Sequence, residues 1–361
     1  MEELPRQRVL RALEHKAPRR VPFSWGFGPT GEEQAALDAY LARFGANFDD
    51  LERATCDIRY AGARYLGPKF PERTDMWGIR RRPVSYGFGV YDEFEHFPLA
   101  GVETVSAVEN YPWPKPEWFD FSRIADDIRS TGENGRYAIR AGGGNPFEIF
   151  CWMTGLEESL VKLLELPEVV SAALDRITDF FCRMCRSMLD AAHGGIDLVF
   201  TADDLGGQHG LLMSRQTYRK ILMPFHRRLH DTIHAYEGPR TLYHSDGSVV
   251  DLLDDLIEAG VDILEAVQVD ADGMAPEGLK MRFGDRLSFH GGVSVQQLLP
   301  RATSDEVRQE VARLKRVFGA GGGYICAPAH AIQALTPPEN VIAMVEEAVE
   351  QPLAALLKRS K

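Results

Sequence analysis

From residue 137 to the C-terminus, short apolar runs alternate with longer amphipathic runs, and this alternation constrains the fold more than any other feature. The apolar runs predict strands over residues 137–141, 197–201, 241–243, 262–266, 287–289 and 324–327. Helical periodicity follows most of these strands, most clearly over residues 168–192, 214–236 and 304–318. Strands that alternate with helices in this way form a parallel sheet with right-handed crossovers.

The number of strands favours a closed barrel over an open sheet. Residues 21–25 predict one more strand, which gives about seven, and an eighth is expected within the irregular residues 45–116. No GxGxxG follows the first strand and no Walker lysine loop occurs, so the common nucleotide-binding open sheets do not fit. We therefore predict an α/β fold, a (β/α)8 TIM barrel that forms a single domain over residues 1–361. Residues 45–116 are predicted to be a lid-like excursion of loops and short strands, with a hairpin at 80–91.

Composition limits the partners and the compartment. A net charge of −12 argues against nucleic acid or an anionic membrane as the main partner. The first sixteen residues are charged and lack the apolar core of a secretion signal, and no apolar run reaches the length of a membrane span. Five cysteines are an odd number at low density, which does not suit a disulfide framework. These features predict a cytoplasmic protein that acts on a small molecule.

Polar side chains collect where the predicted strands end, which in a TIM barrel is the face that carries the active site. The residues at these strand ends are Asp203, Asp204, His244, Asp246, Glu265, Gln268, His290 and His330. Each residue alone fits a helix cap, a packed turn or a surface charge. Five consecutive strand ends with such residues together favour an enzyme.

The segment His244-Ser-Asp246 is the most suggestive of these strand ends. An imidazole and a carboxylate two residues apart form half of a metal site or an acid–base pair. Either Cys326 or His330 would complete three protein ligands to zinc, with the fourth position open. Cys326 is the better thiolate donor but lies within a strand pattern, whereas His330 lies in a loop. Without a metal, the same groups would bind a polar substrate and move protons.

Other motifs are better explained by structure than by chemistry. Cys182 and Cys185 form a CxxC pair inside a predicted helix without a second pair, which predicts core packing. The glycine-rich residues 142–145 and 319–323 predict tight turns, and the basic run 80–82 predicts a solvated surface.

Several segments together resemble the uroporphyrinogen decarboxylase superfamily. They are RVLRALEHKAPRRVPF (8–23), DDLGGQHGLLMSRQTYRKILMP (203–224), HSDG (244–247), DLIEAGVDILEAVQ (255–268), FGDRLSFHGGVSVQQLLP (283–300) and GGGYICAPAHAIQALTPPENV (321–341). The resemblance covers nearly the whole chain and is strongest from about residue 199 onwards. It implies a TIM barrel, in agreement with the strand count.

One branch of this superfamily consists of the true uroporphyrinogen decarboxylases. They carry a segment of the form RQAGRYLPE after the first strand, whose arginines hold substrate carboxylates. The corresponding segment here, GFGPTGEEQA (26–35), contains no arginine. Asp57 would take the place of the family's pyrrole-binding aspartate, and Tyr218 and His330 are compatible with decarboxylase positions.

The other branch consists of corrinoid-dependent methyltransferases, which bind zinc through an HxC motif and a later cysteine shortly before a TP-x-EN segment. His244 and Asp246 stand at the HxC motif, and five residues separate His330 from the Thr336-Pro337 that matches the later segment. The resemblance thus implies a zinc site of His244, Asp246 and His330, with Cys326 as a substitute ligand. This donor set is harder and richer in oxygen than a thiolate site.

We predict a methyltransferase that moves a methyl group between a small methylated substrate or acceptor and a corrinoid carried by a partner protein. The predicted catalytic residues are Asp203, Asp204, His244, Glu265, Gln268 and His330, and the predicted substrate-binding residues are Trp25, Asp57, Tyr243 and His290. A homodimer is what the resemblance implies. One alternative is a decarboxylase of a tetrapyrrole or a smaller carboxylic acid, and another is a non-enzymatic module that docks a macrocycle.

Overall fold

Seven parallel strands form one sheet in the computed structural model, which describes residues 3–87 and 89–358. The strands are β1 (Ile58–Tyr60), β2 (Ala138–Gly144), β3 (Leu198–Ala202), β4 (Arg240–His244), β5 (Ile263–Ala266), β6 (Ser288–Val293) and β7 (Tyr324–Pro328). Each strand pairs in parallel with the next one along the chain. Such an order requires a helical or loop crossover between every pair, which is the arrangement that the sequence predicts.

An eighth segment joins the two edges of this sheet. Phe23 forms a parallel bridge with Cys326 of β7, and its carbonyl accepts a hydrogen bond from the Asp57 N–H at 2.9 Å, directly before β1. The predicted TIM-like barrel is therefore confirmed. The predicted strand over residues 21–25 is reduced to this single bridge. Pro22 has no N–H to donate and contributes only its carbonyl, which accepts from the Cys326 N–H at 2.8 Å.

Helices surround the barrel. The α-helices are Pro5–Leu13, Gly31–Leu41, Phe48–Thr55, Val105–Glu109, Ile124–Thr131, Pro146–Thr154, Leu156–Glu165, Pro167–Ala192, Arg215–Thr217, Met223–His234, Leu253–Glu258, Pro276–Phe283, Leu298–Arg301, Ser304–Phe318, Pro338–Val349 and Leu353–Leu356. Short 3-10 helices span Ala42–Phe44, Pro116–Trp118 and Val250–Leu252. No helix within the described part of the chain is long and apolar enough to cross a membrane.

The predicted helix over residues 214–236 is interrupted. A π-helical turn, Tyr218–Leu222, separates its two α-helical parts. Pro224 follows this turn and has no N–H to donate to the carbonyl of Lys220, so the regular α-helical ladder cannot run through it. The long helix Pro167–Ala192 agrees with its prediction, and Cys182 and Cys185 are buried in it as expected.

Residues 45–116 contain both barrel and covering structure. The expected eighth strand lies here as β1, and the predicted hairpin is formed by the antiparallel strands Arg80–Ser85 and Val90–His96. Short antiparallel pairs also join Arg64–Tyr65 with Phe119–Asp120 and Gly206–Gly207 with Gly210–Leu211. The covering structure lies beside the carboxyl ends of the strands, where Gly62, Ala63 and Met76 line the main cavity.

Candidate active site

A cavity of about 520 Å³ opens at the carboxyl ends of the barrel strands. Eight of its lining residues are aromatic, namely Phe27, Tyr60, Phe119, Phe121, Trp152, Phe180, Phe181 and Phe200. The polar side chains of the lining are Asn145, Glu148, Asp204, His244, Asp246 and His330. Apolar walls with a few convergent polar groups are typical of small-molecule sites.

Three of the predicted residues converge into one cluster in this cavity. His244 ends β4, Asp246 lies in the turn after it, and His330 lies in the loop after β7. One ligand atom from each lies within 4.8 Å of the others. Nε2 of His244 is 3.9 Å from Oδ1 of Asp246, and Nε2 of His330 is 3.6 Å from Oδ2 of the same carboxylate. These distances are too long for hydrogen bonds but suit ligands that share one ion.

Backbone hydrogen bonds hold the turn that carries Asp246. Oδ1 of Asp204 accepts from the Asp246 N–H at 2.8 Å, and Oε1 of Gln268 accepts from the Gly247 N–H at 2.8 Å. Asp204 thus lines the cavity and supports the cluster, whereas Gln268 positions the turn from a buried place behind it. Gly247 has φ +77°, and a Cβ there would lie 2.6 Å from the carbonyl oxygen of Gly206, so only glycine fits.

Burial sets the protonation of the cluster. It lowers the pKa of His244 to about 3, so the imidazole is neutral, the form that binds a metal. Burial raises the pKa of Asp246 to about 6, and the charge of His330 opposes this shift. Two imidazoles and one carboxylate form a donor set that zinc accepts. Phe27 contacts both imidazole rings with centroids 5.0 Å apart and orients them.

Glu148 is a further candidate that the sequence analysis did not select. Asn145 donates to its Oε2 at 3.1 Å, and its own N–H donates to Oδ1 of Asp203 at 2.7 Å. Burial raises the pKa of Glu148 to about 8, and the neighbouring Asp203 and Asp204 add to the shift. The carboxyl group is therefore protonated at neutral pH and able to donate a proton. An acidic residue in the first helical turn after a barrel strand was the available signal.

Asp203 and Tyr243 lie behind the cavity wall. Asp203 is fully buried, and Nε2 of His226 lies 2.7 Å from its Oδ2. The Tyr243 hydroxyl donates to the Asp203 carbonyl at 3.2 Å, and that of Tyr218 lies 3.1 Å from Nδ1 of His226. Burial holds the pKa of Asp203 well above its usual range. Through the Glu148 N–H, this network positions the helix that carries Glu148.

Glu265 and His290 face each other inside the barrel rather than lining the main cavity. Oε1 of Glu265 is 3.5 Å from Nδ1 of His290, and the two residues are 2% and 0% exposed. Burial raises the pKa of Glu265 to about 7 and lowers that of His290 to about 3.

The structure places three predicted site residues away from the cluster. Trp25 is buried against Phe48, and its Nε1 donates to Thr55. Asp57 forms buried ion pairs with two arginines directly before β1, at the opposite end of that strand from the cavity. Cys326 is fully buried beside the Phe23 bridge and does not line the cavity. The substrate-binding interpretation of Asp57 is therefore corrected to an ion-pair partner, because two guanidinium groups occupy its carboxylate.

The closed parallel barrel with a cavity at the carboxyl ends of its strands places this chain in the TIM-barrel fold class. The chain belongs to the uroporphyrinogen decarboxylase (URO-D) family, whose model matches residues 4–351. It is 24% identical over 364 residues to a uroporphyrinogen decarboxylase of Pseudomonas aeruginosa (strain LESB58), covering 96% of this chain and 97% of that protein. It is 25% identical over 363 residues to the one of Saccharophagus degradans, with coverage of 96% and 97%.

The structure is similar to that of a methyltransferase from Methanosarcina mazei. The TM-score is 0.67 at 19% sequence identity, and the likeness covers 97% of this chain and 99% of the other. At this identity the likeness shows a shared fold.

Proposed function

We propose that this protein transfers a methyl group between a small methylated substrate or acceptor and a corrinoid carried by a partner protein, with zinc bound at the cluster. The observation that carries this proposal is the convergence of His244, Asp246 and His330 on one side of an aromatic cavity. The family membership and the methyltransferase fold support it.

The groups in the cavity would have different roles in the reaction. Zinc at the cluster would polarise the methyl donor or activate the acceptor. Phe27 and Phe200 flank His244 and would exclude water from the reacting groups. Glu148, protonated at neutral pH, would supply a proton to the group that loses the methyl.

The charge of the main cavity does not suit a porphyrinogen, which carries many carboxylates. No lysine or arginine occurs among the described residues that line it, whereas Glu148, Asp204 and Asp246 do. A polycarboxylate would meet acidic groups and find no guanidinium anchor there. A neutral or cationic methylated group fits this lining better, since aromatic faces attract methylated ammonium groups.

Decarboxylation of a smaller acid is the second candidate. The curated relatives above are named decarboxylases, and the protonated Glu148 fits the acid that would protonate a carbanion-like carbon. In this reaction no metal would be needed at the cluster.

Metal content and methyl transfer test the proposal together. Zinc would be measured by mass spectrometry in protein purified without chelator, beside His244→Ala and His330→Ala, with the exposed His209→Ala as matched control. Methyl transfer from a panel of methylated amines and ethers to free cob(I)alamin would be followed by absorbance. We expect about one zinc per chain, lost in the two cluster variants together with the transfer. Wild-type protein that binds no zinc, or decarboxylates small acids without it, would overturn the proposal.

A further inference from the structure

A second cavity, of about 610 Å³, adjoins the main one. Phe27 and Tyr60 line both cavities and are 42% and 64% exposed. The other walls of the second cavity are residues 24–26, the helix Phe48–Thr55 and Arg140 of β2. The two cavities thus meet at two exposed aromatic side chains, not at a wall of packed core.

The two cavities differ in charge. The main cavity has three carboxyl groups and no lysine or arginine among its described lining residues, whereas the second contains Arg53, Arg59 and Arg140 with Asp49 and Glu52. The guanidinium of Arg59 is engaged, since it donates to three backbone carbonyls. The guanidinium of Arg140 is not engaged in this way.

Arg140 points into the barrel, where its charge opposes the burial-raised pKa of Glu265, but it forms no ion pair with that carboxyl group. Its register partner on β3 is Leu198, which shares a strand face with Phe200, a lining residue of the main cavity. The guanidinium carbon lies 4.1 Å from the centroid of the Phe200 ring, and no described residue forms a hydrogen bond or ion pair with this side chain. Its Nε is buried. A guanidinium that lies over an aromatic ring and has no hydrogen-bond partner among the described residues can bind a carboxylate in a bidentate manner.

A row of buried polar groups lies next to the second cavity. His244, Glu265 and His290 are register partners on β4, β5 and β6, so their side chains share one face. Nδ1 of His244, Oε2 of Glu265 and both ring nitrogens of His290 are buried without a hydrogen-bond partner among the described residues. A Cβ at Gly26, which lines the second cavity, would lie 3.9 Å from Oε1 of Glu265 and from Cε1 of His290. Folded proteins leave few such groups unpaired, and a polar ligand would satisfy them.

We propose that the second cavity is a carboxylate-binding subsite and that Arg140 is its anchor. A small acid would place its carboxylate against Arg140 and extend past Phe27 to the cluster. As a statement about the methylated substrate this rests on the proposed function, whereas carboxylate binding itself rests on Arg140 alone.

Calorimetric titration with a matched pair of probes tests the subsite. Benzoate carries the carboxylate and an aromatic ring that suits the cavity walls, and benzamide has the same shape without the charge. Both would be titrated into the wild-type chain, Arg140→Met and Arg140→Lys. Arg282→Met is the control. Arg282 also lies over an aromatic ring, that of Phe283, but Arg282 is exposed and lines neither cavity. Titration of His330→Ala shows whether zinc holds the carboxylate instead.

We expect the wild type to bind benzoate at least about tenfold more tightly than benzamide, as for a charge-assisted pair. Arg140→Met should lose this preference, Arg140→Lys should keep part of it, and Arg282→Met and His330→Ala should retain it in full. Equal binding of the two probes by wild-type protein would overturn the subsite. So would a preference that survives Arg140→Met or disappears in His330→Ala. Zinc content and methyl transfer are measured separately, so either proposal can fail alone.

Discussion

Nε2 of His330 lies 3.6 Å from Oδ2 of Asp246, although the two residues follow different strands of the barrel. The same carboxylate reaches Nε2 of His244 at 3.9 Å with its other oxygen. Asp246 therefore stands between two imidazoles, each of which is too far for a hydrogen bond. We therefore expect ion binding at the cluster to depend on the charge of Asp246.

Asp246→Asn keeps the size of the side chain and removes its charge. We expect zinc affinity to fall by at least about 100-fold, since even residues that only support metal ligands contribute 10–100-fold. Competition with a chromogenic chelator measures this change. Asp272→Asn is the control, because Asp272 also lies near an imidazole, 3.1 Å from His209, but on the exposed surface. Equal zinc affinity in both variants would show that Asp246 is not a ligand.

The raised pKa of Glu148 predicts that the stability of the protein depends on pH. Burial raises the pKa of Glu148 to about 8 in the folded protein, above the ordinary glutamate value of 4.5. The folded state therefore holds a proton that the unfolded state releases, so stability is fully present below about pH 4.5 and is lost as the pH rises through 8. The side chain of Glu148→Gln has no such proton to release. Between pH 5 and 8, its free energy of unfolding should therefore fall by about 3 kcal/mol less than that of the wild type. Urea unfolding of metal-free wild type and variant at pH 5, 6.5 and 8 measures the difference, and parallel pH profiles would contradict it.

Substitution of Asp57 tests whether this residue has a structural role or binds substrate. Its carboxylate pairs with Arg8 and Arg20 and accepts the Phe23 N–H at 2.8 Å. Asp57→Ala leaves the buried Arg20 without its ion-pair partner and Arg8 with only Glu3, at 3.8 Å, so the free energy of unfolding should fall by about 3–5 kcal/mol. Asp231→Ala on an exposed helix position should change it by less than about 0.5 kcal/mol. A raised KM with unchanged stability would instead return Asp57 to the substrate site.

We expect the Phe27 side chain to contribute to catalysis but little to stability. It is 42% exposed, and its ring contacts the rings of His244 and His330. Phe27→Ala should change the free energy of unfolding by less than about 1 kcal/mol, but lower kcat/KM of methyl transfer by about tenfold, as aromatic contacts of this kind contribute. Phe44→Ala, at 48% exposure beside Tyr40, should leave both unchanged. Equal kcat/KM in the two variants would remove Phe27 from the site.

The periodicity of the sequence was enough to predict the barrel and the face that carries the polar strand ends. The strands from β3 to β7 are mostly apolar, and the polar residues at or directly after their carboxyl ends lie at one face of a parallel barrel. This rule left Cys326 and His330 open as the partner of His244 and Asp246, and the family resemblance favoured His330. β1 could only be placed within a long region, because a three-residue strand, Ile58–Tyr60, has too little periodicity to stand out.

The directions in which side chains point were harder to predict from the sequence. Neighbouring residues of a strand face opposite sides, so Tyr243 is buried behind the wall while His244 faces the cavity. Arg140 interrupts an apolar strand and gives no sign in the sequence that its guanidinium stacks on Phe200. Glu148 reaches the cavity because Asp203 accepts its N–H, a contact between distant segments that no local pattern encodes.

The bridge between Phe23 and Cys326 joins residues that lie 303 positions apart in the sequence. During synthesis, the segment around Phe23 must therefore wait for β7 before the barrel can close, since distant contacts cannot form until both partners have left the ribosome. His330 emerges only after Cys326. The cluster is thus completed only once the loop after β7 has been made, so a protein truncated before β7 would lack both the closed barrel and the third residue of the cluster.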